Sequence, residues 1–98
     1  MKRIPPPHPG ETIKEDYLVP HAMSVNQLAK ALGITAARLN EIIRGRRGVS
    51  ADTALRLARY FETGAEFWLG LQLFYDLRTA EIASQEKIQR TVKPRQAA

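Results

Sequence analysis

The sequence predicts an all-α fold of five helices, and three observations carry that expectation. Apolar residues recur with helical spacing, as in Val25, Leu28, Ala29 and Leu32 at i, i+3, i+4 and i+7. No segment alternates with period two, and no hairpin dipeptide separates two apolar runs. Serine, threonine, glycine and proline fall where helices of ordinary length start and stop. At 98 residues the chain suits one domain and buries roughly 60–68% of its unfolded surface, enough for a core without covalent staples.

The elements follow in order. Residues 1–10 hold Pro5, Pro6, Pro7, Pro9 and Gly10 and read as an extended Pro-rich arm. A short helix is expected from about Glu11 to Leu18: Ile13 and Tyr17 lie one turn apart, Glu11 suits the positive end of the dipole, and Pro20 stops it. Ser24 caps the next helix, and Gly33 ends it where a left-handed residue is wanted. Ile34 is an apolar hinge, and Thr35 caps a helix from Ala36 to Arg44 with Leu39, Ile42 and Ile43 inward. Gly45-Arg46-Arg47-Gly48 reads as a loop. Ser50 caps a fourth helix, about Ala51 to Phe61, with Ala54, Leu57, Ala58 and Phe61 on its buried stripe. Thr63-Gly64 breaks the chain before a long helix from about Ala65 to Ser84. The polar stretch 85–98, with Pro94 and four basic residues against Glu86, reads as a flexible basic tail. The organisation is therefore an arm over 1–10, a helical domain over 11–84 and a tail over 85–98.

Composition narrows the chemistry. With no cysteine, disulfides, thiolate catalysis and cysteine-ligated metals are excluded, and a reducing, cytoplasmic setting is compatible. No apolar run approaches the ~20 residues of a membrane helix. The start, Met1-Lys2-Arg3-Ile4-Pro5, has charge but no apolar stretch behind it, unlike a signal peptide. His8 and His21 stand outside the apolar stripes with no orienting carboxylate and read as surface histidines. Glu11, Glu15 and Asp16 are explained by a first turn and a solvated face. Neither a Gly-rich phosphate loop nor a zinc spacing occurs, so no enzyme activity, cofactor or metal is expected. Fifteen Lys+Arg against ten Asp+Glu give a net charge of +5 and favour a polyanionic partner.

The segment from Ser24 to Arg44 is the most informative. Two short helices joined by Gly33-Ile34-Thr35 have the turn length and chemistry of a DNA-binding helix-turn-helix, whose second helix enters the major groove. Any αα-hairpin satisfies that spacing, so the outward face decides. With Leu39, Ile42 and Ile43 inward, a step of about 100° per residue turns Ala37, Glu41 and Arg44 outward, flanked by Arg38 and Asn40. Arginine forks to guanine, asparagine to adenine, and glutamate accepts from cytosine N4. Arg46 and Arg47 follow between two glycines, placed for phosphate. The alternative is a solvated charged face.

These residues also carry a resemblance. The stretch from about Pro7 to Gln72, with His8-Pro9-Gly10-Glu11, the run from Ser50 to Phe61 and Phe67-Trp68-Leu69, resembles the HigA-type antitoxins of the phage-repressor-like (XRE) helix-turn-helix family. The resemblance implies a five-helix repressor-like DNA-binding domain, usually a homodimer, on double-stranded operator DNA upstream of its own operon. It also implies a HigB-like toxin partner, similar to the RelE-type ribosome-dependent mRNA ribonucleases. The family's groove helix corresponds to Ala36 through Arg44, with phosphate contacts near Ser24 and Gln27 and at Arg46 and Arg47. The DNA-facing set is then Ser24, Gln27, Thr35, Ala37, Arg38, Asn40, Glu41, Arg44, Arg46 and Arg47. One departure stands out: Ala36 and Ala37 occupy positions where related repressors often carry polar readers, and Ala37 offers only a methyl contact to thymine.

The long helix is apolar around most of its circumference. Trp68, Leu71 and Tyr75 suit a core, which leaves Leu69, Leu73 and Leu77, at i, i+4 and i+8, without cover. A second copy is the expected cover, making this stripe a dimerisation surface; a toxin is the other candidate. A membrane surface is disfavoured by the few lysines and arginines on the polar face. Two other functional readings remain: a plain phage-type or metabolic repressor with no toxin partner, and a protein-binding helical adaptor.

Overall fold

The computed structural model describes residues 4–96, and those residues are helical wherever they are regular, with no strand. The outermost residues of the arm and tail, 1–3 and 97–98, lie outside the described residues.

Helix α1 (Pro9–Thr12) begins two residues before the expected start. His8 is its N-cap, with Nδ1 accepting the Gly10 N–H at 2.9 Å. Pro9 sits at the first helical position, where a missing N–H costs nothing and the fixed φ is already helical. Pro9 and Gly10 are buried, so the extended reading of the arm applies only to residues 4–8. The chain then runs into a π-helical stretch, Ile13–Leu18, which the expected regular helix did not include. Ile13 and Leu18, five residues apart, both enter the core, a spacing that i→i+5 hydrogen bonding brings onto one face. Lys14 C=O accordingly accepts from Val19 N–H at 2.9 Å.

Helices α2 (Val25–Leu32), α3 (Ala36–Ile43) and α4 (Ala51–Phe61) start at Ser24, Thr35 and Ser50, each accepting a backbone N–H three residues on. The ends of α2 and α3 share one solution. Gly33 and Gly45 adopt left-handed φ of 72° and 73°. The N–H groups of Ile34 and Arg46 reach back to the carbonyls of Ala29 and Glu41, at 3.0 and 2.8 Å. At the end of α4 the left-handed residue is Glu62 (φ 56°), not a residue of the Thr63-Gly64 break; Gly64 is the extended N-cap of α5.

Helix α5 (Ala65–Thr91) runs 27 residues, about 40 Å, and carries the molecule to 56 × 31 × 21 Å. It extends through seven residues assigned from sequence to the flexible tail. Polarity does not forbid helix: Gln85 to Thr91 contains neither glycine nor proline, and Glu86 and Arg90 pair across one turn at 4.0 Å.

The core gathers Ile13, Leu28, Leu39, Ile42, Leu57 and Trp68, all fully buried. Trp68 closes it from α5, its indole N–H donating to Thr63 Oγ1 at 2.8 Å, with the Tyr17 and Phe61 rings 5.5 and 6.2 Å away. The α1–α3 crossing is the tightest point. A Cβ built on Gly10 would stand 1.9 Å from the Ile42 carbonyl oxygen and 2.7 Å from Ile43 Cα, both backbone atoms that cannot turn aside. Gly10→Ala is therefore expected to cost about 3 kcal/mol or more of stability, because relief requires prising α1 off α3. Chemical denaturation followed by far-UV circular dichroism checks this; a loss under about 1 kcal/mol would contradict the crossing.

Candidate nucleic-acid interface

On α3 the helical wheel and the observed burial agree. Leu39 and Ile42 are buried and Ile43 half-buried, while Ala37, Glu41 and Arg44 are exposed and Arg38 and Asn40 half-buried beside them. The side chains do not all stand free. The Arg38 guanidinium turns toward the start of α4, donating to Asp52 Oδ2 at 3.2 Å and to Thr53 Oγ1. Arg56 joins from the far side, donating to Asp52 Oδ2 at 2.9 Å and to the Leu32 carbonyl at 2.9 Å. Hydrogen bonds from Arg56 and then Arg38 hold the Asp52 carboxyl below its ordinary value. This network ties the turn and α3 to α4, and the Arg38 guanidinium expected at a base edge also bonds to α4 at the surface.

Glu41 pairs with Arg47 at 3.3 Å, across the close of α3. Its carbonyl also accepts from the Arg46 and Arg47 N–H groups, which curls the arginine loop back over the last turn. Among the described residues no ion pair engages Arg44 or Arg46.

The capping residues show a consistent polarity. Ser24 Oγ accepts from Gln27 N–H at 3.1 Å, and Gln27 Oε1 accepts from Ser24 N–H at 2.8 Å. Thr35 Oγ1 accepts from Arg38 N–H at 3.1 Å. Acceptors are thus consumed internally, and the hydroxyl hydrogens and the Gln27 amide hydrogens remain to donate. Donors at the positive end of a helix suit a phosphate.

Ser24, Asn40 and Arg44 line one open cleft between the α1 side and α3. Lys14, from the π-helical stretch, lines it as well. Nothing in the spacing around Lys14 marks it; only the arrangement of α1 against α3 brings it here. His8 is likewise no plain surface histidine. It is half-buried, caps α1, packs edge-on against Tyr75 at 4.9 Å between ring centroids, and is held by burial below its ordinary pKa, with Asp76 opposing weakly. His21 remains exposed, its Nδ1 2.7 Å from the Tyr17 carbonyl. Among the described residues no cluster of His, Asp and Glu could hold a metal, and no helix is long and apolar enough to cross a membrane.

On α5, Trp68 is buried and Leu71 and Tyr75 half-buried, whereas Leu69, Leu73 and Leu77 are exposed, Leu73 by 67%. Phe74 and Ile82 add exposed apolar surface on the same helix.

Residues 14–68 match the helix-turn-helix family. Virulence-associated protein I of Dichelobacter nodosus is 53% identical over 78 residues, 80% of this chain and 72% of that protein. The Pseudomonas aeruginosa antitoxin HigA, solved with the higBA promoter, is similar with a TM-score of 0.87 and 44% identity over 91% of this chain and 97% of that one. The antitoxin GraA in complex with its operator gives a TM-score of 0.89 and 42% identity over 99% and 98% of the two chains.

Proposed function

As the chain belongs to the helix-turn-helix family, among its HigA-type antitoxins, we propose that it represses its own operon and neutralises a toxin encoded beside it. One observation carries the DNA-binding half. A helix-cap donor (Ser24), an amide reader (Asn40) and a cation with no ion pair among the described residues (Arg44) share one cleft on the open side of α3. That combination answers a duplex, which presents phosphate and base edge side by side. The relatives solved on promoter and operator DNA support the same reading.

In this reading Ser24, Gln27, Thr35, Arg46 and Arg47 grip phosphates, while Ala37, Asn40, Glu41 and Arg44 face base edges. Arg38 orients α3 through Asp52 and Thr53. Arg46→Ala or Arg47→Ala is expected to weaken binding to all duplexes alike and to flatten the salt dependence by about one unit each. Asn40→Ala instead costs about 1–3 kcal/mol on the upstream fragment alone. Fluorescence anisotropy across a salt series, with a scrambled duplex beside the upstream fragment, separates the two. Equal losses on both duplexes for Asn40→Ala would remove it from the reading face.

The chain acts as a homodimer in this proposal, with Leu69, Leu73 and Leu77 at the two-fold axis. Two groove helices then meet half-sites about 34–36 Å apart and multiply their separate affinities. Exposure of all three leucines in the single chain supports this. Leu73→Glu introduces two charges at an isologous contact and is expected to give a folded monomer that no longer holds the fragment. Sedimentation velocity and circular dichroism together read it: an unfolded product would return Leu73 to the core, and an intact dimer would move the interface elsewhere.

The toxin half rests on kinship to HigA-type antitoxins. The partner is a HigB-like mRNA ribonuclease met in the cytoplasm. Co-expression of this chain is expected to rescue growth that the neighbouring small gene alone arrests. Absence of arrest by that gene would leave a plain repressor.

A further inference from the structure

The loop that carries Arg46 and Arg47 is seated on α5 directly at its far end and, through His8, at its near end. At its far end Val49 N–H donates to Gln72 Oε1 at 2.7 Å. Gln72 Nε2 donates in turn to Asp76 Oδ1 at 2.9 Å, which fixes the carboxamide the right way round. Gly48 lies against the same carboxamide so closely that a Cβ there would stand 3.1 Å from its Cδ and Nε2. At the near end a Cβ on Gly45 would stand 3.7 Å from the His8 ring, and that ring packs edge-on against Tyr75. Gln72, Tyr75 and Asp76 fall at i, i+3 and i+4 and form one face of α5. Leu69, Leu73 and Leu77 form the adjoining face, rotated by about 100°.

From this arrangement we infer that Gln72 is a positioning residue for operator binding. It fixes the Arg46–Arg47 loop directly to the helix that carries the dimer stripe. The inference rests on the DNA-binding reading above. Its physical content is geometric. Two half-sites are gripped together only if the phosphate donors of both copies keep one separation. A loop referenced to the inter-subunit helix keeps that separation better than one hung from α3 alone. Gln72 touches no nucleic acid in this scheme and acts through Val49 and Gly48. A merely structural glutamine would satisfy the buried Val49 N–H and do nothing more.

Coupling tells these apart. The full chain is titrated with the duplex immediately upstream of its gene, as wild type, Gln72→Met, Arg46→Ala/Arg47→Ala and the three combined. Methionine keeps length and bulk and removes both hydrogen bonds. Gln72→Met is expected to lose about tenfold in affinity and to show a shallower salt slope, as lost phosphate contacts do. In the background lacking both arginines it is expected to cost nothing further. An equal loss in both backgrounds, or no loss in either, overturns the inference while leaving DNA binding intact. No binding of that duplex by the wild type overturns the DNA-binding reading and the inference with it. Gly48→Ala, a milder push of a methyl into the carboxamide on an exposed loop, is read the same way if Gln72→Met fails to fold.

Discussion

How closely α1 can approach α3 decides where the rest of the molecule sits, and that distance is set by the absence of one methyl group. Gly10 rests on the Ile42 carbonyl with no room for a Cβ, so the two backbones cross in contact. The crossing brings Lys14 beside Asn40 and Arg44, lets Ile13 and Leu18 reach the core, and sets His8 under Gly45. On its other flank α3 is held through Arg38 by Asp52 and Thr53. Helix α3 is therefore clamped between a backbone contact and a charged network, and its outward face inherits a fixed bearing. Such preorganisation spares binding the entropy of ordering a mobile helix.

The charges divide into two groups by what they touch. Arg38 and Arg56 converge on one carboxylate, and Arg56 also closes the C-terminal carbonyl of α2. These cations hold helices together at the surface, sharing a carboxylate that is 58% exposed. Arg44 and Arg46 carry no ion-pair partner among the described residues, and Arg47 shares Glu41 at a solvent-exposed distance of 3.3 Å. An exposed pair of that kind is worth little and is readily exchanged for a phosphate. The excess of positive charge over the whole chain is thus a poor guide, since some of the most suggestive arginines also hold helices together.

Local signals were legible wherever a residue type answers a local backbone need. Ser24, Thr35 and Ser50 sit at the starts of helices because a short side-chain oxygen satisfies a free N–H; Gly33 ends α2 because it alone takes a left-handed φ without strain. The wheel of α3 separated Leu39 and Ile42 from Ala37, Glu41 and Arg44 correctly because one face is buried and the other is not. What could not be read was set by distant residues. Gly10 looked like part of a proline-rich arm, since nothing nearby announces the Ile42 carbonyl above it. His8 looked like a surface histidine because its role needs Pro9 inside a helix and Tyr75 beside it. The His8-Pro9-Gly10-Glu11 run was usable as a resemblance before its physics was visible: cap, first-turn proline, contact glycine and dipole-facing acid, in that order. Arg38 lies beside the outward face by periodicity, and only the fold shows its bonds to Asp52 and Thr53 of α4.

The far end of α5 shows helix of a second kind. Up to Tyr75 the helix is anchored by Trp68, Leu71 and Gln72; from Glu86 onward its side chains are exposed, and local propensity is helped by a long Glu86–Arg90 ion pair and the Thr91 hydroxyl on the Lys87 carbonyl. Isolated turns of this sort gain little cooperativity from the body they adjoin. The outer turns are therefore expected to loosen gradually on warming, by fraying inward from Thr91, while the domain around Leu39 and Trp68 gives way in one step. Loss of ellipticity and loss of the buried tryptophan's environment are then different clocks, and only the second reports on the packed body that holds α3.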